Sequence, residues 1–289
     1  MTKNVYFDTN VFDHLHKRLG FSDGDLSALK ASKAEGHVSF LLSVPLIEEI
    51  FCAIKADPVL TIRELFLIFE LGDWTKVLKP SDLLVSEAIA AYANGTPRSS
   101  PFLAADHPVV NGLRILANPT QRDIDELVPM IEESRAHREE FREGMRTARE
   151  QVLKVAKKLR GQKPSFMDCW TRLAEPFAEG YAGRAGQLDA CKARSIAGLL
   201  ELRSLRMAVG VNLSLIYAET FEGRAPEMGD SRDQQHAVLA STADVFVTQD
   251  GKLANLLSRI PIMGLEITDL RSFLDSLRAS SSDREGRTS

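Results

Sequence analysis

The spacing of hydrophobic positions changes twice along the chain and divides it into three parts. Short apolar runs with the length of strands lie at residues 4–7, 37–43, 245–247 and 260–267. From residue 56 to residue 227, apolar residues instead recur at every third or fourth position, as they do in amphipathic helices. The two ends of the chain are therefore predicted to form a sheet, and the middle is predicted to be an all-helical insertion.

Each predicted strand is followed along the chain by a segment with helical spacing. Strands that alternate with helices usually pair in parallel through right-handed crossovers, and the helices then cover the sheet. We therefore predict an α/β fold with a mostly parallel sheet flanked by helices. The predicted division is a core formed by residues 1–55 and 228–278, a helical insertion at residues 56–227, and a disordered polar tail at residues 279–289.

Composition and charge exclude several classes of protein. The chain has 289 residues, 44% of them hydrophobic, which is enough for a packed core. Its net charge of -4 gives no overall basic character, so nucleic acid would have to bind at a local patch. The three cysteines, Cys52, Cys169 and Cys191, are too widely spaced for a disulfide framework or a zinc site. We expect a cytoplasmic protein, since the N-terminus shows no leader and no apolar run has the length of a membrane span.

A local basic patch lies in the predicted insertion. Residues 135–163 hold ten Lys or Arg against four Glu. Five arginines recur every three or four residues and would share one helix face: Arg135, Arg138, Arg142, Arg146 and Arg149. Such a stripe is more often a solvated helix surface than a binding site. Arginine suits phosphate better than lysine does, however, so contact with nucleic acid is the functional interpretation.

Acidic residues stand where the predicted strands end and where helices begin. Asp8 follows the first strand, Glu48 and Glu49 open the helix after the second, Asp233 opens the helix before the third, and Asp250 follows the third. Each acid alone is explained equally well by helix capping or the helix dipole. In a parallel sheet they would meet at the carboxyl edge, where clustered carboxylates repel one another. A hard divalent cation such as Mg²⁺ or Mn²⁺ is the economical explanation.

Three segments together resemble a known family. They are VYFDTN at residues 5–10, SVPLIEEI at residues 43–50 and DQQHAVLASTADVFVTQD at residues 233–250. In this order they resemble the PIN-domain nucleases, a metal-dependent endoribonuclease fold that includes VapC-type toxins. The spacing from Ser43 and to Ile50 fits the family pattern better for Glu49 than for Glu48. The long middle segment is not part of the usual minimal domain, so the resemblance does not imply what that segment recognises.

The resemblance implies a role for individual residues. The catalytic set would be four acids: Asp8, Glu49, Asp233 and Asp250. The three aspartates would hold Mg²⁺ or Mn²⁺, with the glutamate contributing directly or through water. Asn10 and Thr248 match polar residues beside the site. His236, one helical turn after Asp233, is expected either to face the same cleft or to be a helix histidine with a satisfied hydrogen bond.

The function implied by the resemblance is hydrolysis of RNA phosphodiester bonds that leaves a 5′-phosphate and a 3′-hydroxyl. A toxin of this kind would have an antitoxin partner, and PIN-like domains often form homodimers. One alternative is a non-catalytic PIN-like scaffold that binds RNA or protein, although the four acids argue against it. A second is a phosphotransfer hydrolase of the haloacid dehalogenase type, which also carries an Asp after its first strand. That class needs a second acid two residues after Asp8, where this chain has Asn10.

Overall fold

The computed structural model describes most of the chain outside one long central stretch. The described residues are 2–54, 56–117, 163–225, 227, 229–262 and 264–285, together with scattered positions between 119 and 129. The five arginines of the predicted basic face, at positions 135, 138, 142, 146 and 149, lie outside the described residues.

Within the described residues, the strands form a single parallel sheet. They are β1 (Lys3–Phe7), β2 (Val38–Leu42), β3 (Gly72–Val77), β4 (Val245–Val247) and β5 (Glu266–Thr268). Their order is β3-β2-β1-β4-β5, and every neighbouring pair runs parallel. The central strand β1 therefore joins the two ends of the chain. The predicted α/β fold, with a mostly parallel sheet flanked by helices, is confirmed.

Helices connect the strands and cover both faces of the sheet. They are α1 (Thr9–His16), α2 (Asp23–Ala34), α3 (Val44–Phe51), α4 (Pro58–Leu71), α5 (Ser81–Asn94), α6 (Pro108–Leu116), α7 (Phe166–Arg184), α8 (Leu188–Arg194), α9 (Ile196–Leu199), α10 (Arg203–Phe221), α11 (Asp230–Ala240), α12 (Gly251–Ser258) and α13 (Leu270–Glu285). None of the helices described has both the length and the apolar character needed to cross a membrane.

The alternation of side chains along the strands produces two hydrophobic cores. Val5 and Phe7 of β1 point to the face covered by α1–α4, α6 and α13. Tyr6 points to the opposite face, where α5, α7 and α10–α12 pack. Strands buried on both faces carry continuous apolar runs, as β2 does with VSFLL, in which every residue is buried. The sheet is therefore the central layer of three.

The segment 56–227 is not all-helical, contrary to the prediction, because β3 lies within it and extends the sheet beside β2. Its sequence, GDWTKV, lacks the apolar run typical of a buried strand, which is why the hydrophobic pattern did not predict it. Gly72 lets this strand approach closely: a Cβ there would lie 2.3 Å from Cδ2 of Leu42 and 2.9 Å from the carbonyl oxygen of Ile68.

The C-terminal elements also differ from their predicted bounds. The last strand comprises only residues 266–268 rather than 260–267. Ile260 and Pro261 instead follow the end of α12, and the carbonyl of Pro261 accepts a hydrogen bond of 2.8 Å from Arg206 Nη1. Helix α13 continues to Glu285 and so includes residues that were predicted to belong to a disordered tail.

Candidate metal centre

Asp8 lies at the centre of the carboxyl edge, directly after β1. Because Phe7 is paired with Val247 across the sheet, Asp8 and Thr248 leave their strands side by side. Oδ1 of Asp8 accepts the backbone N–H of Thr9 at 2.8 Å, which caps α1. Its Oδ2 accepts the Thr248 hydroxyl at 2.8 Å and the amide of Asn10 at 3.3 Å. Capping therefore uses one oxygen, and the side chains beside the site orient the other.

Asp250 also caps a helix. Its Oδ1 accepts the backbone N–H groups of Lys252 at 2.7 Å and Leu253 at 3.1 Å, at the start of α12. The backbone N–H of Asp250 donates to the Thr248 hydroxyl at 3.0 Å. Since the same hydroxyl donates to Asp8, Thr248 links the two aspartates across β4 and β1.

Glu49 and His236 form a hydrogen-bonded pair beside Asp8. Oε2 of Glu49 lies 3.0 Å from Nε2 of His236 and accepts the Thr9 hydroxyl at 2.5 Å. The imidazole is only 1% exposed, and its Nδ1 lies 2.7 Å from the hydroxyl of Tyr6. That hydroxyl is 2.8 Å from Oγ of Ser43, the N-cap of α3. His236 is therefore a buried helix histidine with hydrogen-bond partners for both of its nitrogens.

The neighbouring Glu48 lies on a different side of α3. It lines a surface groove between α3 and α6, together with Val109 and Ile115. Glu48 and Glu49 do not open α3, contrary to the prediction, because the helix begins at Val44 and its first turn holds no acid. Of the two, Glu49 is the one that lies beside Asp8 and His236.

Three of these side chains offer ligand atoms close enough to share one ion. A carboxylate oxygen from each of Asp8 and Glu49 and a ring nitrogen of His236 all lie within 4.8 Å of one another. His236 is thus a possible metal ligand, whereas the sequence analysis predicted only aspartates as metal ligands.

Asp233, in the first turn of α11, completes the acidic cluster through its electrostatic environment. Burial raises its pKa, and the negative charges of Asp250, Asp8 and Asp230 raise it further, to about 7. Asp233 therefore interacts electrostatically with both of the capping aspartates. Asp233 and Asp250 do not, however, belong to the group whose ligand atoms lie within 4.8 Å of one another, which holds only Asp8, Glu49 and His236 among the described residues.

The pKa of Asp8 is also raised, and again burial is the largest cause. Glu49 shows the opposite behaviour. Burial alone would raise its pKa, but the hydrogen bond and charge of His236, the Thr9 hydroxyl and the charge of Arg232 together lower it to about 2. The pKa of His236 is raised because its acidic neighbours outweigh the effect of burial. The edge therefore holds one compensated carboxylate, Glu49, beside others that repel one another.

The negative charge of Asp230 is compensated by a partner of its own. Asp230 is 2% exposed, and it pairs with the guanidinium of Arg224 and accepts the backbone N–H of Glu227 at 2.9 Å. This buried ion pair supports the start of α11.

Two residues near the site were not predicted from sequence. Tyr6 holds the imidazole from the far side, and Arg232 is buried beside Glu49, with its Nη2 3.3 Å from Sγ of Cys52. Arg232 directly precedes the predicted Asp233, and that adjacency is the one signal that could have indicated it. Tyr6 gives no such signal, because every neighbouring position of β1 is also apolar.

No family model, curated protein or solved structure matches the chain. The centre must therefore be interpreted from its own chemistry.

Proposed function

We propose that the protein is a metal-dependent endoribonuclease with a PIN-like fold, whose catalytic site is the acidic cluster at the carboxyl edge of the sheet. The observation that carries this proposal is the group of Asp8, Glu49 and His236, whose ligand atoms lie within 4.8 Å of one another. The acids around it support the proposal, since burial and three neighbouring aspartates raise the pKa of Asp233 to about 7. Carboxylates gathered in this way destabilise one another unless a cation or a proton compensates their charge. Acids with a purely structural role would avoid this repulsion by lying apart. The clustering itself therefore supports a cation-binding role.

The residues present fit a divalent cation. Carboxylate oxygens are the donors that Mg²⁺ and Mn²⁺ prefer. Asp8 would hold the ion at the group that it forms with Glu49 and His236, and Asp233 and Asp250, whose ligand atoms lie outside that group, would contribute their negative charge. Glu49 would contribute directly or through water, while His236 orients it. A bound ion of this kind lowers the pKa of a coordinated water and stabilises negative charge on a phosphate.

The protein's own residues prepare the edge for a phosphodiester. Thr248 and Asn10 fix one oxygen of Asp8, and the N–H groups at the start of α12 fix Asp250. Because helices α1, α11 and α12 all begin at this edge, the positive ends of their dipoles converge there. Helix N-termini of this kind favour phosphate binding. No protein nucleophile is required by this arrangement.

RNA as the substrate, an antitoxin as a partner and a homodimer as the assembly extend the same proposal. The resemblance of three short segments to PIN-domain nucleases supports them, and a cytoplasmic location fits them. The arginines at positions 135–149 would guide an RNA strand towards the acids, and affinity carried by such contacts falls steeply with salt.

The Glu49–His236 pair favours a second candidate, a non-catalytic PIN-like scaffold that binds RNA or protein. An acid that is already satisfied by a buried histidine needs no metal to be stable. The raised pKa of Asp233 favours the enzyme, because burial and the neighbouring aspartates outweigh the charge of His236 at that carboxylate.

Cleavage of an end-labelled RNA pool by the purified protein tests the proposal. Reactions with Mn²⁺ or Mg²⁺ are compared with reactions containing EDTA, for the wild type and for Asp8→Asn and Asp250→Asn. Each substitution removes a charge but keeps an oxygen that can cap the helix. We expect metal-dependent cutting that falls by roughly 100-fold or more in both variants, the scale of losing one electrostatic contributor to catalysis.

The matched control is Asp106→Asn, which changes an exposed loop acid outside the acidic set and should leave cutting unchanged. Cutting that resists EDTA, or that survives both site substitutions, would show that the acids are not the catalytic site. Absence of cutting by a protein that still binds RNA would favour the scaffold.

A further inference from the structure

A second cavity lies on the other side of α11 from the acidic cluster. Its volume is about 760 Å³, and it is lined by α5, α7, α10 and α11. On α11, Gln234 and Val238 line this cavity, whereas Asp233 and His236 belong to the acidic edge. The volume is in the range of cavities that bind small organic ligands. We call it the α5–α7 cavity.

One wall of the α5–α7 cavity is aromatic. Phe177 and Tyr181 stand one helical turn apart on α7 and both line it. Val85 and Ile89 of α5 add apolar surface. An aromatic wall with an apolar remainder suits a flat ring that can stack.

Amide groups occupy the inner end of the cavity. The hydroxyl of Tyr181 accepts Nδ2 of Asn212 at 2.7 Å and Nε2 of Gln234 at 3.0 Å. Asn212 lines the cavity and is only 9% exposed, and its Oδ1 has no hydrogen-bond partner among the described residues. A buried acceptor without a partner is costly. A ligand that brings an N–H group to this end of the cavity would remove that cost.

The charges that line the cavity are balanced. Asp82 is at the start of α5 and Arg184 is at the end of α7. The guanidinium of Arg184 lies over the ring of Tyr181, 4.3 Å from its centroid, so it covers one face of that ring and offers its own plane for stacking. With one acid and one base among the lining residues, the cavity gives no net attraction for a phosphate. A neutral ligand fits it better than an anion.

We propose that the α5–α7 cavity binds a nucleobase, supplied either by a free nucleoside or by an unstacked base of an RNA strand. The base stacks on Phe177 and on the stacked pair of Tyr181 and Arg184, and it presents its hydrogen-bonding edge to the amides of Asn212 and Gln234. Asparagine and glutamine amides pair with base edges, and aromatic side chains stack on splayed bases in single-stranded RNA. This site does not depend on the nuclease proposal, because binding of a base here requires neither a metal nor cleavage.

Isothermal titration calorimetry in EDTA tests this proposal. Adenosine, guanosine, cytidine, uridine and a short single-stranded RNA are titrated separately into the wild type and three variants. Phe177→Ala removes a stacking surface and should weaken binding by roughly tenfold or more. Ser86→Trp fills the cavity from α5 without deleting a packed side chain and should abolish binding. Phe66→Ala is the matched control, since it truncates an exposed phenylalanine on α4, outside the cavity.

Nucleoside binding that both cavity variants weaken supports the proposal, and so does RNA binding that both weaken when no free nucleoside binds. Those two results identify the source of the base. Failure of every probe to bind overturns the proposal, as does binding that Phe177→Ala and Ser86→Trp leave at the wild-type affinity. Asp8→Asn should bind the nucleoside as the wild type does, so loss of cleavage and loss of base binding are separable. Circular dichroism of each variant confirms that it is folded.

Discussion

Two carboxylates at one edge of the sheet have pKa values that are shifted in opposite directions, and their neighbours explain why. Glu49 has His236, Thr9 and Arg232 beside it, which outweigh burial and lower its pKa to about 2. Asp233 has mainly other acids around it, and its pKa rises to about 7. The two values show which carboxylate the fold has already compensated. They also show that a bound cation would stabilise the folded protein most at Asp233.

The raised pKa of Asp233 predicts a pH-dependent stability for the metal-free protein. At a pH well below 3.8 the carboxyl group is protonated in both the folded and the unfolded chain. As the pH rises from 3.8 to about 7, the unfolded chain loses this proton while the folded chain keeps it. The stabilising contribution present at low pH is therefore lost as the pH rises through the folded pKa.

Asp233→Asn should remove this loss. In EDTA at pH 8, we expect the variant to have a free energy of unfolding higher than that of the wild type by on the order of 2–4 kcal/mol, and a difference near zero at pH 4. Urea denaturation at both pH values measures it. Asp106→Asn, in an exposed loop, serves as the control. A variant that is equally destabilised at both pH values would show that Asp233 is not under charge repulsion.

Individual site residues could be predicted from sequence only where chain order decides their position. Asp8 and Asp250 follow strands, so a parallel sheet places them at one edge whatever the details. The Tyr6–His236 contact depends on which face of β1 meets α11, and a strand that is apolar at every central position does not reveal this. The ion pair of Asp230 with Arg224 depends on the path of a loop, which no periodicity records.

At the scale of elements, the capping aspartates serve the helix and the site together. Oδ1 of Asp250 accepts two N–H groups at the start of α12. Asn can replace this cap, but Ala cannot. We therefore expect Asp250→Asn to change the free energy of unfolding by less than about 0.5 kcal/mol, and Asp250→Ala to lower it by about 1 kcal/mol more.

Metal binding should not distinguish the two variants. Both should bind Mn²⁺ more weakly than the wild type does, because both lack the negative charge of Asp250. Urea denaturation in EDTA compares the stabilities, and Mn²⁺ binding compares the site. Equal stability of the Asn and Ala variants would mean that the side chain does not cap the helix. Retention of Mn²⁺ affinity in both would separate Asp250 from the metal centre.

The close approach of β3 to β2 predicts a second effect at this scale. Gly72→Ala would place a methyl group against the Leu42 side chain and the Ile68 carbonyl. Overpacking of this kind should lower the free energy of unfolding by about 1–3 kcal/mol. Gly112→Ala in α6 is the matched control, because nothing lies within 4 Å of the added group and alanine favours a helix. A Gly72 variant as stable as the control would contradict the packing of β3 described above.

Element prediction succeeded where apolar runs were uninterrupted. Strands β2 and β4 lie within the predicted runs, and β1 begins one residue before its run, because the central residues of each are buried on both faces. Strand β3 escaped prediction because Asp73, Thr75 and Lys76 interrupt its apolar residues at the edge of the sheet, where one side has no partner strand. The class of fold was therefore predictable, but its full strand count was not.

At the scale of the whole molecule, the sheet brings together residues more than two hundred positions apart. Strand β1 pairs with β4, so Asp8 meets Thr248, and α11 is packed against α3, so His236 meets Glu49. The candidate centre thus exists only in the folded chain. A metal that binds it stabilises the folded state alone, and this linkage makes metal affinity the most direct property to measure.

The measurement that tests the central claim most directly is a titration of the purified protein with Mn²⁺, followed through the electron paramagnetic resonance signal of the free ion. The wild type should bind Mn²⁺. Asp8→Asn and Asp250→Asn should each bind it roughly tenfold or more weakly, and Asp106→Asn should bind as the wild type does. Absence of uptake by the wild type, or equal uptake by the wild type and both site variants, would contradict a metal centre at the carboxyl edge of the sheet.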